Sequence, residues 1–384
     1  MASGTPWMPF FHPRAPRSTR SWSRAMTAAR FAIVGNGWRA QFFHRIAAAL
    51  PDVFEIVGVV VRSATTADAV AAAWGSPTFG SLGDLLAHER PDFVVASVPR
   101  DVAALVMVEC VAAGVAVLSE TPPADTADDL RRLWDGVGAS GLVQVAEQYL
   151  LLPMHAARRE IVRRGAIGTP TSVQVSSTHL YHAVSMIRGF LDSPFGPAEV
   201  RAKSFDAPLV DPMNQRGWTD DAEPRSATTT IASIDFGGTH GLYDFTDNQW
   251  HNQLRSRRIV VRGSHGEIAN DDVFRMPEPR TFTTSPILRR QLGYDLDLDG
   301  YDSDHIVFDG SVVWRNEFLG ARFSDEEIAI ATLLRRTADW VGDSGPAPYP
   351  LAEASQDHLV GLAIEESVAT GAPVRTERES WSPA

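Results

Sequence analysis

Apolar, strand-like runs alternate with helical segments over residues 31–145, and this alternation constrains the fold more than any other feature of the sequence. The strand-like runs are continuous and apolar, as expected for strands that are buried on both faces of a sheet. The pattern predicts a parallel, doubly wound sheet. The predicted elements are, in order, strand 31–34, helix 38–50, strand 54–61, helix 66–74, strand 93–97, helix 102–113, strand 115–118, helix 128–137 and strand 142–146.

The character of the sequence changes after residue 171. Predicted strands follow one another with few helices between them, which favours a mostly antiparallel sheet; they lie at 172–177, 227–236, 241–246, 257–262 and 311–315. We interpret the long polar stretches 206–226 and 270–310 as loops. Two helices are predicted to close the chain, 325–341 with Ser324 as its N-cap, and 351–369. The predicted fold class is α/β plus α+β.

Length, composition and charge exclude several classes of protein. A chain of 384 residues suffices for two domains, which we place at 29–150 and 151–384. Residues 1–28 are rich in arginine and proline and contain no acid, and we interpret them as a disordered tail or an over-extended start. The formal net charge of −12 argues against nucleic-acid binding, and no apolar run is long enough to predict a membrane span. The single cysteine, Cys110, is predicted to be core and suits a cytoplasmic protein.

A glycine-rich turn joins the first predicted strand to the first predicted helix. Its sequence, Gly35-Asn36-Gly37-Trp38-Arg39-Ala40, matches G-x-G-x-x-G/A with alanine in the last place. The first glycine permits a tight turn, the second lets a pyrophosphate approach the backbone, and the alanine keeps the helix close to the sheet. In this context, after a strand and before a helix, the motif predicts dinucleotide binding by residues 35–39.

The end of the second strand bears on the choice of dinucleotide. An acid commonly holds the adenosine ribose at this place, but here the strand ends in Val61-Arg62-Ser63. Arg62 and Ser63 are suited to a 2′-phosphate, which slightly favours NADP over NAD. The alternative is that Arg62 stacks on adenine or only solvates a loop.

Five stretches, taken in order, resemble the Gfo/Idh/MocA-type oxidoreductases, the glucose–fructose oxidoreductase and inositol dehydrogenase superfamily. They are residues 35–40, Ser97-Val98-Pro99, Glu120-Thr121-Pro122-Pro123, residues 153–168 and residues 354–374. The resemblance implies a Rossmann domain, then an open-faced antiparallel sheet with helices on one side that pairs subunits into a homodimer or homotetramer. It implies that the closing helices pack near the Rossmann domain, and that Ser97, Pro99, Glu120 and Pro122 contact the cofactor.

The sequence departs from the family's pattern at two of its proton-handling residues. The lysine of the family's Glu-Lys-Pro motif is Thr121 here, and the only lysine of the chain, Lys203, lies in another segment. The aspartate of the Asp-x-x-x-His pattern is Thr178, whereas His182 keeps the histidine place. Because histidine titrates near neutrality, His182 is the leading candidate for proton transfer. The further catalytic candidates are Thr121, Tyr149, His179 and Tyr181.

Two patterns of possible metal ligands are weak. His179 and His182 have i, i+3 spacing and would need His155 or Asp192 to complete a site, but no carboxylate stands at a convincing spacing, so we predict no metal. Alternating acids resemble a calcium loop that lacks its glycine and its last glutamate, and we interpret them as a solvated loop; they are Asp295, Asp297, Asp299, Asp302 and Asp304.

An aromatic ring beside hydrogen-bonding side chains suits a sugar-like ligand. Trp250 and His251 form such a group after a predicted strand, although a hairpin tip or a subunit contact explains them equally well. Arg216-Gly217-Trp218 is a weaker candidate of the same kind.

Three functions follow as expectations from the resemblance. The first is an NAD(P)-dependent oxidoreductase that moves a hydride to or from a carbon of a sugar, cyclitol or sugar-derived metabolite. The second is a lyase, epimerase or glycoside-cleaving enzyme that retains its cofactor and uses transient oxidation. The third is a non-catalytic, cofactor-binding sensor.

Overall fold

The first sheet of the protein is parallel and has six strands. The computed structural model describes residues 28–193, 195–214, 216–292 and 302–383. The strand order is β3-β2-β1-β4-β5-β6, so the direction of winding reverses between β1 and β4. The strands are β1 (Ala29–Val34), β2 (Phe54–Val60), β3 (Thr78–Phe79), β4 (Phe93–Ala96), β5 (Ala116–Ser119) and β6 (Val143–Val145).

Five helices connect these strands and cover both faces of the sheet. They are α1 (Ala40–Ala49), α2 (Ala64–Trp74), α3 (Leu82–His88), α4 (Arg100–Ala112) and α5 (Ala127–Val137). Cys110 of α4 is fully buried, as predicted. The doubly wound sheet is confirmed, and the structure adds β3 and α3, which the sequence analysis did not predict. Ligands of such sheets bind beyond the carboxyl ends of the strands at the reversal point.

The second sheet has eleven strands in the order β18-β17-β16-β15-β14-β13-β7-β12-β11-β8-β19. Every neighbouring pair is antiparallel except β7 and β12. The strands are β7 (Pro170–Ser176), β8 (Glu199–Leu209), β11 (Arg225–Asp235), β12 (His240–Thr246), β13 (Arg258–Gly263), β14 (Gly266–Ala269), β15 (Asp272–Glu278), β16 (Thr281–Leu292), β17 (Asp302–Phe308), β18 (Ser311–Arg315) and β19 (Val374–Arg375), with a separate hairpin of β9 (Met213–Asn214) and β10 (Gly217–Trp218).

The predicted loop at 270–310 is wrong over most of its described length. β15, β16 and β17 occupy it, and residues 293–301 lie outside the described residues. In β16 only Ile287 is buried, so the strand lacks the apolar alternation by which a half-buried strand is recognised. The predicted loop at 206–226 is shortened by β8 and β11, which enter it from both ends.

Helices cover one face of the second sheet, and the other face is open. α6 (Pro153–Arg163), α7 (Leu180–Leu191) and α9 (Leu351–Thr370) pack against the covered face in one apolar core. On the open face, Phe205, Ile231 and Leu242 are 46%, 43% and 37% exposed. The predicted fold class, α/β plus α+β with helices on one side of the second sheet, is therefore confirmed.

The closing helices connect the two sheets. α8 (Asp325–Val341) begins with the capping box of Ser324 and Glu327, so the predicted N-cap is confirmed. Three successive acids of its first turn each pair with an arginine: Asp325 with Arg289 of β16, Glu326 with Arg39, and Glu327 with Arg45 of α1. Because Arg39 and Arg45 lie beside the first sheet and Arg289 belongs to the second, these pairs join α8 to both sheets.

No helix among the described residues is long and apolar enough to cross a membrane. The predicted tail, residues 1–28, lies outside the described residues except for its last residue.

Candidate active site

A cleft of about 1910 Å³ lies between the two sheets, at the carboxyl ends of the strands of the first. The structure brings the predicted cofactor and catalytic residues, together with Trp250 and His251, to the lining of this one cleft, whereas the weaker candidate Trp218 lies outside it. The predicted cofactor residues there are Gly35, Asn36, Gly37, Trp38, Arg39, Arg62, Ser63, Ser97, Pro99, Glu120 and Pro122. The predicted catalytic and substrate residues there are Thr121, Tyr149, His179, Tyr181, His182, Trp250 and His251.

The two glycines of the turn between β1 and α1 differ in their surroundings. Gly35 has a φ of +101°, and a Cβ on it would lie 2.2 Å from the carbonyl oxygen of Ser97. A Cβ on Gly37 would meet no atom within 4 Å, so it would project into open space. Ala40 is fully buried, which lets α1 approach the sheet. The turn therefore offers bare backbone to the cleft, as a bound pyrophosphate requires.

Arg39 and Trp38 form one edge of the cleft. The Arg39 guanidinium lies 4.5 Å from the centre of the exposed Trp38 ring. Arg39 also pairs with Glu326 at 2.7 Å and approaches Glu120 to 3.8 Å. Two carboxylates thus offset the charge of Arg39. Burial raises the pKa of the Glu120 carboxyl, and the positive charge of Arg39 counteracts part of this increase.

Arg62 and Ser63 lie where β2 ends. Ser63 Oγ accepts from the backbone N–H of Thr66 and caps α2. Arg62 is exposed and pairs with no carboxylate of the described residues. The positive charge of Arg62 is therefore available to an anionic group of a ligand at this end of the cleft.

His182 is held by a buried carboxylate that the sequence analysis did not predict. Glu147 Oε2 accepts from His182 Nδ1 at 2.6 Å, and the Glu147 side chain is fully buried. The other oxygen, Oε1, accepts from the backbone N–H of Tyr149 at 2.9 Å. Because an ionised carboxylate only accepts, it places the ring proton of His182 on Nδ1 and leaves Nε2 with a free lone pair. This pair is the arrangement of a general base with its orienting acid.

Local backbone geometry places His179 and His182 on the cleft. Leu180 has a φ of +30°, and its backbone N–H donates to Tyr243 Oη at the start of α7. The His179 and His182 rings lie 5.5 Å apart between centres. Burial, followed by the charges of His182 and Arg100, lowers the pKa of His179 to about 4, so His179 is neutral near pH 7.

The two tyrosines differ in accessibility. The Tyr149 ring lies 4.5 Å from the His182 ring, and burial raises the pKa of its hydroxyl. Tyr181 is 4% exposed and belongs to the core of the first domain, and burial raises its pKa well above the usual range. Tyr149 is therefore better placed than Tyr181 to reach a ligand.

Trp250 lines the cleft and packs against the core of the second sheet. Its ring lies 4.8 Å from that of His179 and 4.7 Å from that of Phe245, and His251 lines the cleft beside it. Trp218, in contrast, is 70% exposed on β10 and does not line the cleft. The only lysine, Lys203, is exposed on the open face of β8 and does not replace Thr121 at the cleft.

No group of three or more His, Cys, Asp or Glu side chains in the described ranges is arranged to hold a metal ion. Asp192 follows the far end of α7, and His155 Nδ1 contacts the Arg158 guanidinium. Of the alternating acids, Asp302 and Asp304 belong to β17, whereas Asp295, Asp297 and Asp299 lie outside the described residues.

Comparison with known proteins identifies the first domain. A family model, described as an oxidoreductase family with an NAD-binding Rossmann fold, matches residues 29–147. An inositol 2-dehydrogenase from Rubrobacter xylanophilus is 33% identical over 117 residues, which make up 30% of this chain and 34% of that protein. Residues 29–147 therefore have the NAD-binding Rossmann fold of this oxidoreductase family. The aligned part spans about a third of the curated relative's length.

Solved structures extend the likeness from the first domain to the whole fold. An oxidoreductase from Agrobacterium radiobacter, solved with NAD+, L-tartaric acid and magnesium, matches with a TM-score of 0.65 and 16% identity over 91% of this chain and 98% of that chain. A myo-inositol dehydrogenase from Corynebacterium glutamicum matches with a TM-score of 0.62 and 18% identity over 94% and 100%. At these identities the likeness shows a shared fold, including the second domain that the family model does not cover.

Proposed function

We propose that this chain binds NAD(P) in the cleft and transfers a hydride to or from a carbinol carbon of a sugar, a cyclitol or a sugar-derived metabolite. The observation that carries the proposal is the His182–Glu147 pair, of which His182 lines the same cleft as the glycine turn of the first domain and Glu147 is buried behind it. The bare backbone at Gly35 and Gly37 suits the pyrophosphate of the cofactor. When bound, the nicotinamide supplies or accepts the hydride.

His182 handles the proton in this proposal. In the oxidative direction Nε2 accepts the proton of the substrate hydroxyl, and Glu147 stabilises the positive ring that results. In the reductive direction the ring returns that proton to the new hydroxyl oxygen. Neutral His179 and the hydroxyl of Thr121 are hydrogen-bonding groups of the same cleft, and Trp250 offers a face on which the apolar side of a sugar ring stacks.

The cofactor proposed is NADP rather than NAD. The end of β2 carries no acid to hold the ribose hydroxyls, and Arg62 there has no carboxylate partner among the described residues. Ser63, Thr66 and Ser81 line the cleft beside it and add hydroxyl groups. A cationic side chain with neighbouring hydroxyls suits the 2′-phosphate, whereas an NAD site usually presents an acid.

The experiment is a panel of neutral and acidic polyols, incubated with the protein and either NAD+ or NADP+, in which the absorbance of the reduced nicotinamide is followed. We expect turnover with at least one polyol, and we expect His182→Gln to lower kcat by about 10²-fold or more while cofactor affinity stays unchanged. Glu278→Gln, an exposed change on β15 away from the cleft, is the control. Full activity of the His182→Gln variant refutes the assigned role.

The retained-cofactor alternative differs in how the nucleotide is held. The experiment releases any bound nucleotide from the purified, untreated protein with acid and identifies it by mass spectrometry. The result distinguishes the retained-cofactor enzyme from the net oxidoreductase. Stoichiometric NAD(H) favours a lyase, an epimerase or a glycoside-cleaving enzyme and contradicts NADP, whereas an empty protein that binds added NADPH favours net oxidoreduction. A protein that binds cofactor but turns over no member of the panel is the sensor.

We also propose that the open face of the second sheet pairs two copies of this chain. Cross-strand register places Phe205, Ile231 and Leu242 on the same face of β8, β11 and β12. These exposed apolar side chains are diagonal neighbours on three adjacent strands, and exposed apolar side chains that collect on one face are typical of a subunit interface. Sedimentation analysis is expected to show a dimer or tetramer, and Ile231→Glu is expected to yield the monomer. A monomeric wild-type chain contradicts the proposal.

A further inference from the structure

The arginines that line the cleft fall into two groups. Three are paired with carboxylates: Arg39 with Glu326, Arg45 with Glu327, and Arg100 with Asp125. The other two, Arg62 and Arg257, have no carboxylate partner within the part of the chain that the structure describes. A cation that faces a ligand cleft without a counter-ion is a site for an anionic group of the ligand.

Arg257 belongs to the second domain and to the wall that carries the aromatic rings. It directly precedes β13, and its Nη2 donates to the carbonyl oxygen of Trp250. Ring contacts continue from Trp250 to His179 at 4.8 Å and from His179 to His182 at 5.5 Å. Arg257 is thus on the substrate side of the cleft, whereas Arg62 is at the end of β2, on the side of the adenosine.

The groups that surround Arg257 leave its charge uncompensated. His155 also lines the cleft, and burial, followed by the charges of Arg158 and Arg257, lowers the pKa of His155 to about 3. The charges that act on His155 are therefore both positive. The acids of the α8 turn that face the cleft are engaged elsewhere, since Asp325 pairs with Arg289 and Glu326 with Arg39.

We propose that the substrate carries an anionic group, a carboxylate or a phosphate, that Arg257 binds beside Trp250. This inference rests on the proposed function, because it assigns the charge of the molecule that His182 acts on. The Arg257 guanidinium is held by the Trp250 carbonyl through one Nη atom, which leaves other donors for two parallel hydrogen bonds to an anion. The reacting carbinol and the anionic group would lie at opposite ends of the aromatic wall formed by His179 and Trp250.

The test is calorimetric titration of the full chain, with and without saturating NADPH or NADH, against D-glucuronate, D-glucose 6-phosphate and D-glucose. These probes share a ring and differ in their charge. We expect glucuronate or the phosphate to bind about 10-fold tighter than glucose or better, with an affinity that falls as salt is added. The tighter of the two acids identifies the anionic group.

Arg257→Gln is expected to abolish this preference and to leave glucose binding unchanged. Arg255→Gln is the matched control, because Arg255 lies in the same segment, lacks a carboxylate partner among the described residues and does not line the cleft. The inference is overturned if glucose binds as tightly as both acids, or if neither acid binds. It is also overturned if the preference for an acid survives in Arg257→Gln. A chain that binds neither NADPH nor NADH refutes the proposed function instead. If such a chain still binds glucuronate or glucose 6-phosphate, and Arg257→Gln removes that binding, the anion site is supported.

Discussion

Replacing Glu147 by glutamine removes the charge that faces His182 while preserving the size of the side chain. In the wild type both oxygens are engaged, Oε2 by His182 Nδ1 at 2.6 Å and Oε1 by the backbone N–H of Tyr149 at 2.9 Å. A glutamine that keeps its oxygen on Tyr149 turns its NH₂ group towards Nδ1. The His182 proton then moves to Nε2, and that nitrogen loses the lone pair with which it accepts the substrate proton.

The magnitude follows from the hydrogen bond that is lost. Glu147 is fully buried, so its carboxylate interacts with the ring without screening by water. A charge-assisted hydrogen bond contributes about 1.5–3 kcal/mol, which corresponds to a decrease in kcat of about 10- to 150-fold when the positive ring forms. The change of tautomer adds to this decrease in the oxidative direction.

The assay combines steady-state rates with the state of the ring. With the polyol selected from the panel, Glu147→Gln is expected to lower kcat, to leave KM and cofactor affinity nearly unchanged, and to change the pH dependence of the rate. Proton–nitrogen correlation spectra of ring-labelled protein are expected to show His182 protonated at Nδ1 in the wild type and at Nε2 in the variant. An unchanged kcat with an unchanged tautomer refutes the reasoning, and Glu278→Gln controls for an unspecific loss.

Three further predictions concern stability and cofactor choice. Gly35→Ala is expected to lower the free energy of unfolding by at least about 2 kcal/mol, measured by urea denaturation, because the new Cβ combines a positive φ with a clash at the Ser97 oxygen; wild-type stability of the variant contradicts this. Burial lowers the pKa of His44 from 6.5 to about 4, so below pH 6.5 the unfolded chain binds a proton that the folded chain does not, and stability falls as the pH falls towards 4. His44→Leu is therefore expected to lose about 2 kcal/mol less than the wild type between pH 7 and pH 5, and equal losses would show that His44 is not the cause. Arg62→Gln is expected to weaken NADPH binding by about 10-fold and to leave NADH binding unchanged, so a parallel loss for both nucleotides would argue against a 2′-phosphate contact.

The fold of the first domain could be predicted because short segments of the sequence are enough to identify its strands and helices. Its strands are buried on both faces, so their apolar runs are continuous, and the turn at Gly35 and Gly37 follows the first of them directly. The residues of the first domain that line the cleft could also be predicted, because residues at the carboxyl ends of neighbouring parallel strands lie at one edge of the sheet.

The second sheet was predicted only in part because one of its faces is open. β16 has one buried residue in twelve, so its sequence shows no apolar alternation and cannot be distinguished from that of a polar loop when a single sequence is read. Such strands are held by their neighbours, here β15 and β17, and that pairing is not visible in the residues of one strand.

Glu147 and Arg257 were not predicted, because what distinguishes each of them appears only in the folded chain. Glu147 is separated from His182 by 35 positions, and no spacing rule connects the end of β6 with the first turn of α7. The one available signal was the position of Glu147, two residues after a buried strand, where site residues of such folds collect. Arg257 gave no such signal, because its significance comes from the absence of a carboxylate beside it in the described residues.

Nucleotide binding by the wild type and by Gly37→Val tests the central claim most directly. A Cβ on Gly37 meets no atom of the described residues within 4 Å, so the variant is expected to fold with unchanged thermal stability, yet its side chain would enter the part of the cleft that we assign to the pyrophosphate. Calorimetric titration with NADPH and NADH is expected to give one nucleotide per wild-type chain and a loss of affinity of about 30-fold or more in the variant. A wild type that binds neither nucleotide, or a variant that binds as tightly as the wild type, would contradict the account.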